Sequence, residues 1–249
     1  MPTSNSNLTG RVHSIEPFGT VDGPGIRMVC FFQGCPLNCK FCHNPDVAWG
    51  KSQNQIKAEK ILTAYNKNRH FYRTGGVTFS GGEPLFQGEF LLECVKLLKA
   101  NGVHTAIDTS LSCGYRWIEK LMPYIDLWMI SIKAVSPDLH RQLTNHDNGA
   151  ILNHLTKLNA NKADMRLRYV IIPRLTNTRQ ELTKLAYFIM NLPNSVPLEL
   201  LAYHTMGVKK WQELSLPYQL NDYPQAEKSD LEHAESLLLE CGLKSTILY

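Results

Sequence analysis

Apolar residues along this chain follow two kinds of pattern. Short, nearly continuous apolar runs are typical of strands buried on both faces, whereas apolar residues that recur every three or four positions indicate amphipathic helices. The first pattern predicts strands at Arg27–Phe32, Gly76–Phe79, His104–Asp108, Leu127–Ile132, Arg166–Ile172 and Pro197–Leu201. The second predicts helices at about Lys57–Asn68, Glu89–Asn101, Tyr115–Met122, Pro137–Thr144, Ala150–Asn159, Thr178–Asn191 and Ser229–Gly242.

Local signals mark the ends of some of these helices. Gly102 and Gly242 stand where a glycine commonly ends a helix in a left-handed conformation. Ser229-Asp-Leu-Glu232 has the spacing of a capping box and predicts a helix that starts at Ser229. The signals therefore agree with helices that connect one strand to the next.

The alternation of strands and helices predicts an α/β fold with a parallel sheet. Six strand-helix units are fewer than the eight of a complete barrel, so we expect a partial (β/α)6 TIM-like barrel or an open twisted sheet. Functional loops in both arrangements follow the carboxyl ends of the strands. We expect residues 1–9 to form a loose polar tail and residues 10–249 to form a single domain.

Composition and charge narrow the class of protein. The chain is 43% hydrophobic and 19% charged, which is typical of a globular protein. Its formal charge of +4 is mild and its basic residues are dispersed, so binding to nucleic acid is not indicated. No apolar stretch approaches the roughly 20 residues that span a bilayer, and the first residues lack a secretion signal. We therefore expect a cytoplasmic protein without a membrane segment.

Three of the seven cysteines, Cys35, Cys39 and Cys42, lie within one short stretch. This spacing favours a metal cluster. A four-iron cluster bound by three thiolates would keep one iron without a protein ligand. Zinc is the alternative and needs a fourth ligand, for which the adjacent His43 is badly placed and His13, His70 and His104 are other candidates. Accidental clustering is the third reading. The other four cysteines are expected to have no role in the site.

Several further motifs, together with the cysteines, resemble those of radical S-adenosylmethionine (SAM) enzymes, and among them of glycyl-radical activating enzymes. The resemblance extends in order from about residue 11 to about residue 210. It lies in Gly19-Thr-Val-Asp22-Gly-Pro-Gly-Ile-Arg27, Phe31 to Asn44, Thr78-Phe-Ser-Gly-Gly-Glu83-Pro, Asp108-Thr109, Arg168-Tyr-Val-Ile-Ile-Pro173 and Ala202-Tyr-His204.

This resemblance implies a fold of the radical SAM type and a set of cofactor contacts. Cys35, Cys39 and Cys42 would hold one [4Fe-4S] cluster, and SAM would bind its open iron. Residues expected around SAM are Phe41, His43, Gly81, Gly82, Glu83, Ser131, Lys133, Arg168 and His204. Residues expected around a monovalent cation beside the SAM carboxylate are Asp108, Thr109 and Met129.

Most of these residues also have an ordinary structural interpretation. Gly81 and Gly82 would serve a tight turn, and Phe41 and His43 would be a core aromatic and a surface histidine. Arg168 shares a strand face with Arg166, and an inward arginine needs an anion, which is either the SAM carboxylate or an internal acidic residue. His204 would be structural and Lys133 would be a solvated lysine at a strand end.

Two positions depart from the family pattern. Ser131 stands where the family typically has an aspartate of the cation site, and a missing carboxylate weakens the binding of a cation. We therefore expect weak or absent stimulation by potassium. Ser110 likewise follows Asp108-Thr109 where the family commonly has asparagine, and nothing in the sequence indicates what this changes.

The resemblance also implies partners. No cysteine lies between Cys42 and Cys94, so the extra cluster domain of some activases is absent, and the pattern favours pyruvate formate-lyase as the activated protein. Asp22 would contact its glycine-bearing loop, or would brace a turn. A flavodoxin or ferredoxin would supply the electron, and a monomer is expected. The alternatives are a different glycyl-radical partner, a small-molecule substrate, or a zinc-stabilised binding module without enzyme activity.

Overall fold

The computed structural model describes residues 8–51 and 54–248. Its strands are β1 Gly10–Gly19, β2 Arg27–Phe32, β3 Gln55–Ile56, β4 Gly76–Gly81, β5 Thr105–Thr109, β6 Leu127–Ile132, β7 Met165–Ile171, β8 Leu198–Ala202 and β9 Thr246–Leu248. Its α-helices are α1 Pro45–Trp49, α2 Ala58–Lys67, α3 Gly88–Ala100, α4 Tyr115–Leu121, α5 Pro137–Thr144, α6 Gly149–Ala160, α7 Arg179–Met190, α8 Val208–Glu213 and α9 Lys228–Glu240. Two 3₁₀ helices lie at Arg69–Phe71 and Pro84–Gln87.

The structure confirms all six predicted strands and all seven predicted helices, with small shifts at their ends. The strands β1, β3 and β9 were not predicted. β1 mixes buried and exposed positions, because it pairs antiparallel with β2 and β3 and leaves part of its surface in water. β3 and β9 are too short to show a periodic pattern.

The described residues form two compact units. The first comprises residues 8–36, 46–51 and 54–129, and its strands lie in the order β3-β1-β2-β4-β5 before the beginning of β6. β2, β4 and β5 are parallel, so the loops after them lie at one edge of this sheet. β3 is an edge strand, so the sheet of this unit is open.

The second unit comprises residues 37–45 and 130–248. It contains the end of β6 and continues with β7, β8 and β9, where β7, β8 and β9 are parallel and β9 is an edge strand. The expected α/β class with an open, largely parallel sheet is confirmed. The expectation of a single domain for residues 10–249 stays a prediction.

Each unit has an apolar core between its sheet and its helices. In the first unit, Phe32 and Phe79 are fully buried, and helices α2 and α3 pack against each other. In the second unit, Tyr169 and Leu200 are fully buried, and α7 packs against α9. Burying one such large apolar side chain contributes about 1.5–3 kcal/mol. Each core supports the strands of its own unit.

The helix ends confirm the predicted C-terminal glycines and contradict the predicted capping box at Ser229. Gly102 and Gly242 have positive φ angles of 69° and 90°, as expected, and each follows the C-cap residue of helix α3 or α9. The predicted start of the last helix at Ser229 was wrong. The capping box lies two residues earlier, where Glu227 N donates to Asp230 Oδ2 at 2.9 Å. In a capping box, the side chain at the third helical position accepts from the backbone N–H of the N-cap residue. Here Asp230 takes this role for Glu227, so the box does not consist of Ser229 and Glu232.

Two further predictions concern the start of the chain and a membrane segment. Of the predicted tail, residues 1–7 lie outside the described residues, and β1 begins at Gly10. Across 8–51 and 54–248, no helix combines the length and apolar character needed to cross a bilayer.

Candidate active site

The cysteine stretch begins where β2 ends, at the carboxyl edge of the first unit. Gly34 precedes Cys35 and is fixed at both backbone groups, since its N–H donates to Val47 O and its carbonyl accepts from Glu83 N, each at 2.9 Å. Gly34 has a φ angle of 99°, which favours glycine. The backbone before the first cysteine is therefore held by helix α1 and by the turn that follows β4.

The rest of the cysteine stretch belongs to the second unit. Asn38 N donates to Thr144 O at 3.1 Å and Lys40 N to Leu143 O at 2.9 Å, so the stretch is tied to the end of helix α5. Cys42 N donates to Cys39 O at 3.1 Å, which closes a tight turn between the last two cysteines. The Cys39 side chain is 9% exposed.

A segment that the sequence did not point to, Gly207–Trp211 at the start of helix α8, holds the end of this stretch. Trp211 Nε1 donates to Cys42 O and Lys210 Nζ donates to Asn44 Oδ1, both at 2.9 Å. A Cβ on Gly207 would lie 2.8 Å from the Cα of His43, so only glycine fits this contact. Three consecutive residues, Cys42 to Asn44, are therefore held by one segment.

The Gly81-Gly82-Glu83 motif forms the turn that follows β4. A Cβ on Gly82 would lie 2.2 Å from Gly34 O, and one on Gly81 would lie 2.4 Å from Phe32 N. Gly81 also has a φ angle of 118°. The two glycines are required because two backbone segments approach closely at the carboxyl edge.

Glu83 is fully buried, and its carboxylate is bound within the first unit. Oε1 accepts from Thr109 Oγ1 at 2.6 Å and from Leu85 N at 3.1 Å, while Oε2 accepts from Ser110 N at 2.9 Å and Ser110 Oγ at 2.6 Å. Burial raises the pKa of this carboxyl group, and the hydrogen bonds from Ser110 and Thr109 oppose that effect. Glu83 thus joins the loops after β4 and β5.

The three residues expected around a cation lie in strands β5 and β6, within the first unit. Asp108 and Thr109 are the last two residues of β5, and Met129 is a fully buried residue of β6. The Thr109 hydroxyl is engaged, because it donates to Glu83 and accepts from Leu111 N at 2.9 Å. The cation contacts assigned to these residues stay predictions.

His43 and His204 form a stacked pair in the second unit. Their ring centroids are 3.7 Å apart with an interplanar angle of 27°, and His43 Nε2 donates to His204 O at 3.0 Å. Burial lowers the pKa of His43 to about 4, with a further contribution from His204, and burial also lowers the pKa of His204. Both rings are therefore neutral near pH 7.

His204 has an unused polar atom. Its Nδ1 is buried and has no hydrogen-bond partner within the part of the chain that the structure describes. A buried, unsatisfied nitrogen is costly unless a ligand or water supplies the missing bond. The pair thus offers a flat ring surface and one hydrogen-bonding atom, a combination that suits a heteroaromatic base.

The remaining expected SAM contacts of the second unit lie in or after β6. Lys133 follows β6, and its Nζ lies 5.7 Å from the centroid of the Phe41 ring, within reach of a cation–π interaction. Phe41 is 6% exposed. Ser131 lies within β6 and is partly buried. The structure thus brings Lys133 to Phe41, while the roles of these residues toward SAM stay predictions.

Arg168 is buried and has an acidic partner inside the protein. Its Nε donates to Glu199 Oε2 at 3.0 Å, between neighbouring positions of β7 and β8. Arg166 NH1 lies 3.2 Å from Glu199 Oε1 on the same face, as strand alternation predicts. The internal ion pair weighed for Arg168 is therefore present, and the contact to a SAM carboxylate stays a prediction.

The loop that contains Asp22 lies at the opposite, amino edge of the first unit. Thr78 Oγ1 donates to Asp22 O at 2.7 Å, and the fully buried Arg27 donates from Nε to Thr78 Oγ1 at 2.6 Å. Burial lowers the pKa of Arg27 to about 10, which keeps it charged at neutral pH. A contact between Asp22 and a partner stays a prediction.

Two of the cysteines outside the triplet lie in the apolar core. Cys30 and Cys94 are fully buried and burial raises the pKa of both, to about 12 for Cys30. No group of three His, Cys, Asp or Glu side chains among residues 8–51 and 54–248 is arranged to hold one metal ion. An iron-sulfur cluster differs from a single ion in that each thiolate binds a different iron.

The chain is similar to a known enzyme superfamily and to curated relatives. The sequence profile of the Radical SAM superfamily matches residues 29–186. The chain is 42% identical over 241 residues to a pyruvate formate-lyase-activating enzyme of Listeria monocytogenes, covering 94% of this chain and 97% of the relative. It is 40% identical over 235 residues to the enzyme of that name from Clostridium pasteurianum, covering 94% and 98%.

Solved structures show the same relationship. A domain of a pyruvate-formate lyase-activating enzyme from Bacteroides vulgatus matches with a TM-score of 0.59 and 25% identity, covering 70% of this chain and 99% of that domain. A radical SAM methyltransferase from Sphaerobacter thermophilus matches with a TM-score of 0.67 and 17% identity, covering 90% of this chain and 66% of that protein. The second match concerns the fold alone.

Proposed function

This chain belongs to the radical SAM superfamily, and from this membership we propose that it activates pyruvate formate-lyase by generating a glycyl radical in that enzyme. The observation that supports the proposal best is the 42% identity to an enzyme of that name over 94% of this chain. Nearly the whole length is shared, so the whole reaction is expected to be shared.

The three thiols of the cysteine stretch suit one four-iron cluster. We propose that Cys35, Cys39 and Cys42 each bind one iron, which leaves the fourth iron for the amino and carboxylate groups of SAM. The tight turn from Cys39 to Cys42 and the Trp211 contact to Cys42 O hold the backbone of this loop. When bound, the reduced cluster supplies one electron that cleaves a carbon-sulfur bond of SAM, and the resulting 5′-deoxyadenosyl radical takes a hydrogen atom from the partner's glycine.

We propose that Gly81 and Gly82 present bare backbone to the methionine part of SAM. A Cβ at either position would collide with Phe32 or Gly34, so this turn keeps two glycines and its peptide groups carry no side chain. Glu83 supports this turn through its buried carboxylate, whose four hydrogen bonds come from the protein. In this proposal Glu83 contributes by fixing the turn and through its backbone.

We propose that Phe41, His43 and His204 form the adenosine end of the site. The unsatisfied Nδ1 of His204 and the stacked neutral rings support this assignment, because a neutral imidazole accepts or donates one hydrogen bond to a base. Ser131, Lys133 and Arg168 are proposed for the methionine carboxylate. Arg168 then needs to keep or share its ion pair with Glu199.

A cation site at Asp108, Thr109 and Met129 belongs to the same proposal, weakened by Ser131. Asp22 is proposed to contact the partner near its glycine. The electron donor is proposed to be a flavodoxin or ferredoxin, and the chain is proposed to act as a monomer in the cytoplasm.

One experiment tests the proposed activity directly. The protein is purified and reconstituted without oxygen, its iron and sulfide are measured, and it is incubated with dithionite, SAM and pyruvate formate-lyase. We expect about four irons per chain and a glycyl-radical signal in the electron paramagnetic resonance spectrum. Cys39→Ala should abolish both the cluster and the signal, while the matched Cys113→Ala should keep both.

Each alternative has its own result in this experiment. A colourless protein with zinc in place of iron would identify a binding module. SAM cleavage with no glycyl signal would contradict pyruvate formate-lyase as the partner. A signal with another glycyl-radical enzyme, or turnover of a small molecule, would then replace the assignment.

A further inference from the structure

A pocket with a volume of about 550 Å³ opens at the amino edge of the first unit, away from the cysteine stretch. It lies beside Gly75 and His104, which directly precede β4 and β5. The side chains that define its chemistry are Tyr65, Arg69, His70, Tyr72, Arg73 and His104. Among residues 8–51 and 54–248, none of those that line it is acidic. The pocket therefore favours a negatively charged group.

The two arginines of this pocket are available for an anion. Within the described part of the chain, neither Arg69 nor Arg73 forms an ion pair, and the hydrogen bond of the Arg73 side chain goes from Nε to the backbone oxygen of His70 at 3.3 Å. The carboxylate of Asp126, beyond the pocket, is already bound by Lys99 Nζ and by Thr105 N. A guanidinium with free N–H groups can bind a carboxylate through two parallel hydrogen bonds.

An exposed apolar surface borders the pocket. Phe71 lies next to His70, with ring centroids 4.1 Å apart, and packs edge-to-face with Phe18 at 5.3 Å. Phe18 is 53% exposed, Phe71 45% and Val21 68%. Grouped, exposed aromatic side chains beside arginines are typical of the centre of a protein interface.

The pocket is also joined to the Asp22 loop by backbone contacts. A Cβ on Gly75 would lie 1.8 Å from Ile26 O, and one on Gly25 would lie 2.4 Å from Thr74 O. The Arg27 side chain connects the two regions, donating to Pro24 O at 3.3 Å and lying 3.2 Å from His104 Nδ1. The pocket, the two phenylalanines and the loop thus form one continuous surface.

The openness of this surface indicates what kind of ligand it fits. A small molecule is usually enclosed over most of its area, whereas Arg69, His70, Arg73 and His104 are all exposed. A side chain presented by another protein needs no such enclosure. We propose that this surface docks the glycyl-radical partner, with a partner carboxylate between Arg69 and Arg73 and a partner apolar side chain against Phe18 and Phe71. This inference rests on the proposed function and names the docking surface that serves it.

Charge reversal tests the proposal. Arg69→Glu and Arg73→Glu are compared with wild type for the KM of the partner and the kcat of radical formation, and for direct binding of the partner. We expect each variant to raise KM at least about tenfold with little change in kcat, because like charges at an interface repel. Arg116→Glu is the matched control, an exposed arginine on helix α4 outside the pocket, and should leave KM unchanged.

SAM cleavage driven by dithionite without the partner verifies folding, and it should be equal in all variants. Phe18→Ser tests the apolar half independently, with Leu239→Ser as its control, since both side chains are more than half exposed. Unchanged KM in both arginine variants would overturn the docking surface. So would stabilisation of the wild type by inorganic phosphate or AMP that is lost in Arg69→Glu while the KM for the partner is unaffected. If the wild type cleaves SAM yet forms no glycyl radical, the proposed function fails, and the docking surface fails with it.

Discussion

His43 donates a hydrogen bond from Nε2 to the carbonyl oxygen of His204 across 3.0 Å, and the two rings stack with centroids 3.7 Å apart. One imidazole therefore fixes both the backbone and the ring of the other. His204 Nδ1 is left buried and without a hydrogen bond among the described residues. The orientation of this nitrogen depends on His43, which makes His43 a positioning residue.

Replacement of His43 should weaken SAM binding without affecting the cluster. His43→Ala removes the hydrogen bond and the ring contact, and we expect about a tenfold loss of affinity for SAM, equivalent to about 1.4 kcal/mol. His43→Phe keeps the stacking surface and should lose less. SAM titration followed by the spectrum of the reduced cluster measures the affinity, and iron content provides the control. Equal affinity in His43→Ala and wild type would show that the pair has no part in binding.

Trp211 should stabilise the cysteine stretch through its bond to Cys42 O. Trp211→Phe removes that bond but keeps most of the ring, and we expect a loss of about 1–2 kcal/mol in the free energy of unfolding. Iron should also be lost to a chelator several-fold faster, because the backbone of Cys42 is freer. Trp117→Phe on helix α4 is the control, since that side chain contacts Gly88 far from the cysteines in the sequence. Identical iron loss in both variants would contradict a role for Trp211.

Gly82 should be intolerant of any side chain. The Cβ of Gly82→Ala would lie 2.2 Å from Gly34 O, so the backbone must shift, and we expect a loss of about 3 kcal/mol or more in unfolding free energy. Gly149→Ala is the matched control, because nothing lies within 4 Å of its Cβ position, at the start of helix α6. That change should be neutral or stabilise by up to about 1 kcal/mol. Denaturant unfolding distinguishes the two, and a mild effect at Gly82 would show that the turn can relax.

Glu83 should not be replaceable by glutamine. Each carboxylate oxygen accepts one backbone N–H and one hydroxyl, so either orientation of an amide places its NH₂ group against a backbone donor. We expect Glu83→Gln to lower the unfolding free energy by about 2–3 kcal/mol, the cost of buried unsatisfied donors. Glu89→Gln, at an exposed position of helix α3, should change it by less than about 0.5 kcal/mol. Calorimetry of both variants provides the comparison.

Ser131 should decide the response to potassium. The wild type lacks the carboxylate that its relatives are expected to have at this position, so we predict little stimulation of radical formation by potassium over tetramethylammonium. Ser131→Asp should introduce a several-fold stimulation, while Ser131→Asn, similar in size but neutral, should not. Strong, saturable activation of the wild type at low potassium concentration is the result that rejects this prediction.

Much of the fold follows from local pattern. β2 and β6 have the predicted bounds because continuous apolar runs leave a buried strand few alternatives. The parallel order of β2, β4 and β5 then places Cys35, Gly82 and Asp108 at or near the same edge, because parallel strands end together. The tight turn after β4 was also foreseeable from its glycine pair, and Gly81 has the positive φ angle that such a turn favours.

Other features depend on residues that are distant in sequence, and only the tertiary structure decided them. Trp211 bonds to Cys42 across 169 positions and His43 to His204 across 161, and no local pattern reports such pairs. Arg168 had two admissible partners by charge, and the neighbouring strand supplied Glu199. The sequence by itself determined the spacing of the three thiols and the positions of six core strands, because residue spacing and continuous apolar runs are local properties. The tertiary structure decided which side chain completes each polar contact, because that depends on packing.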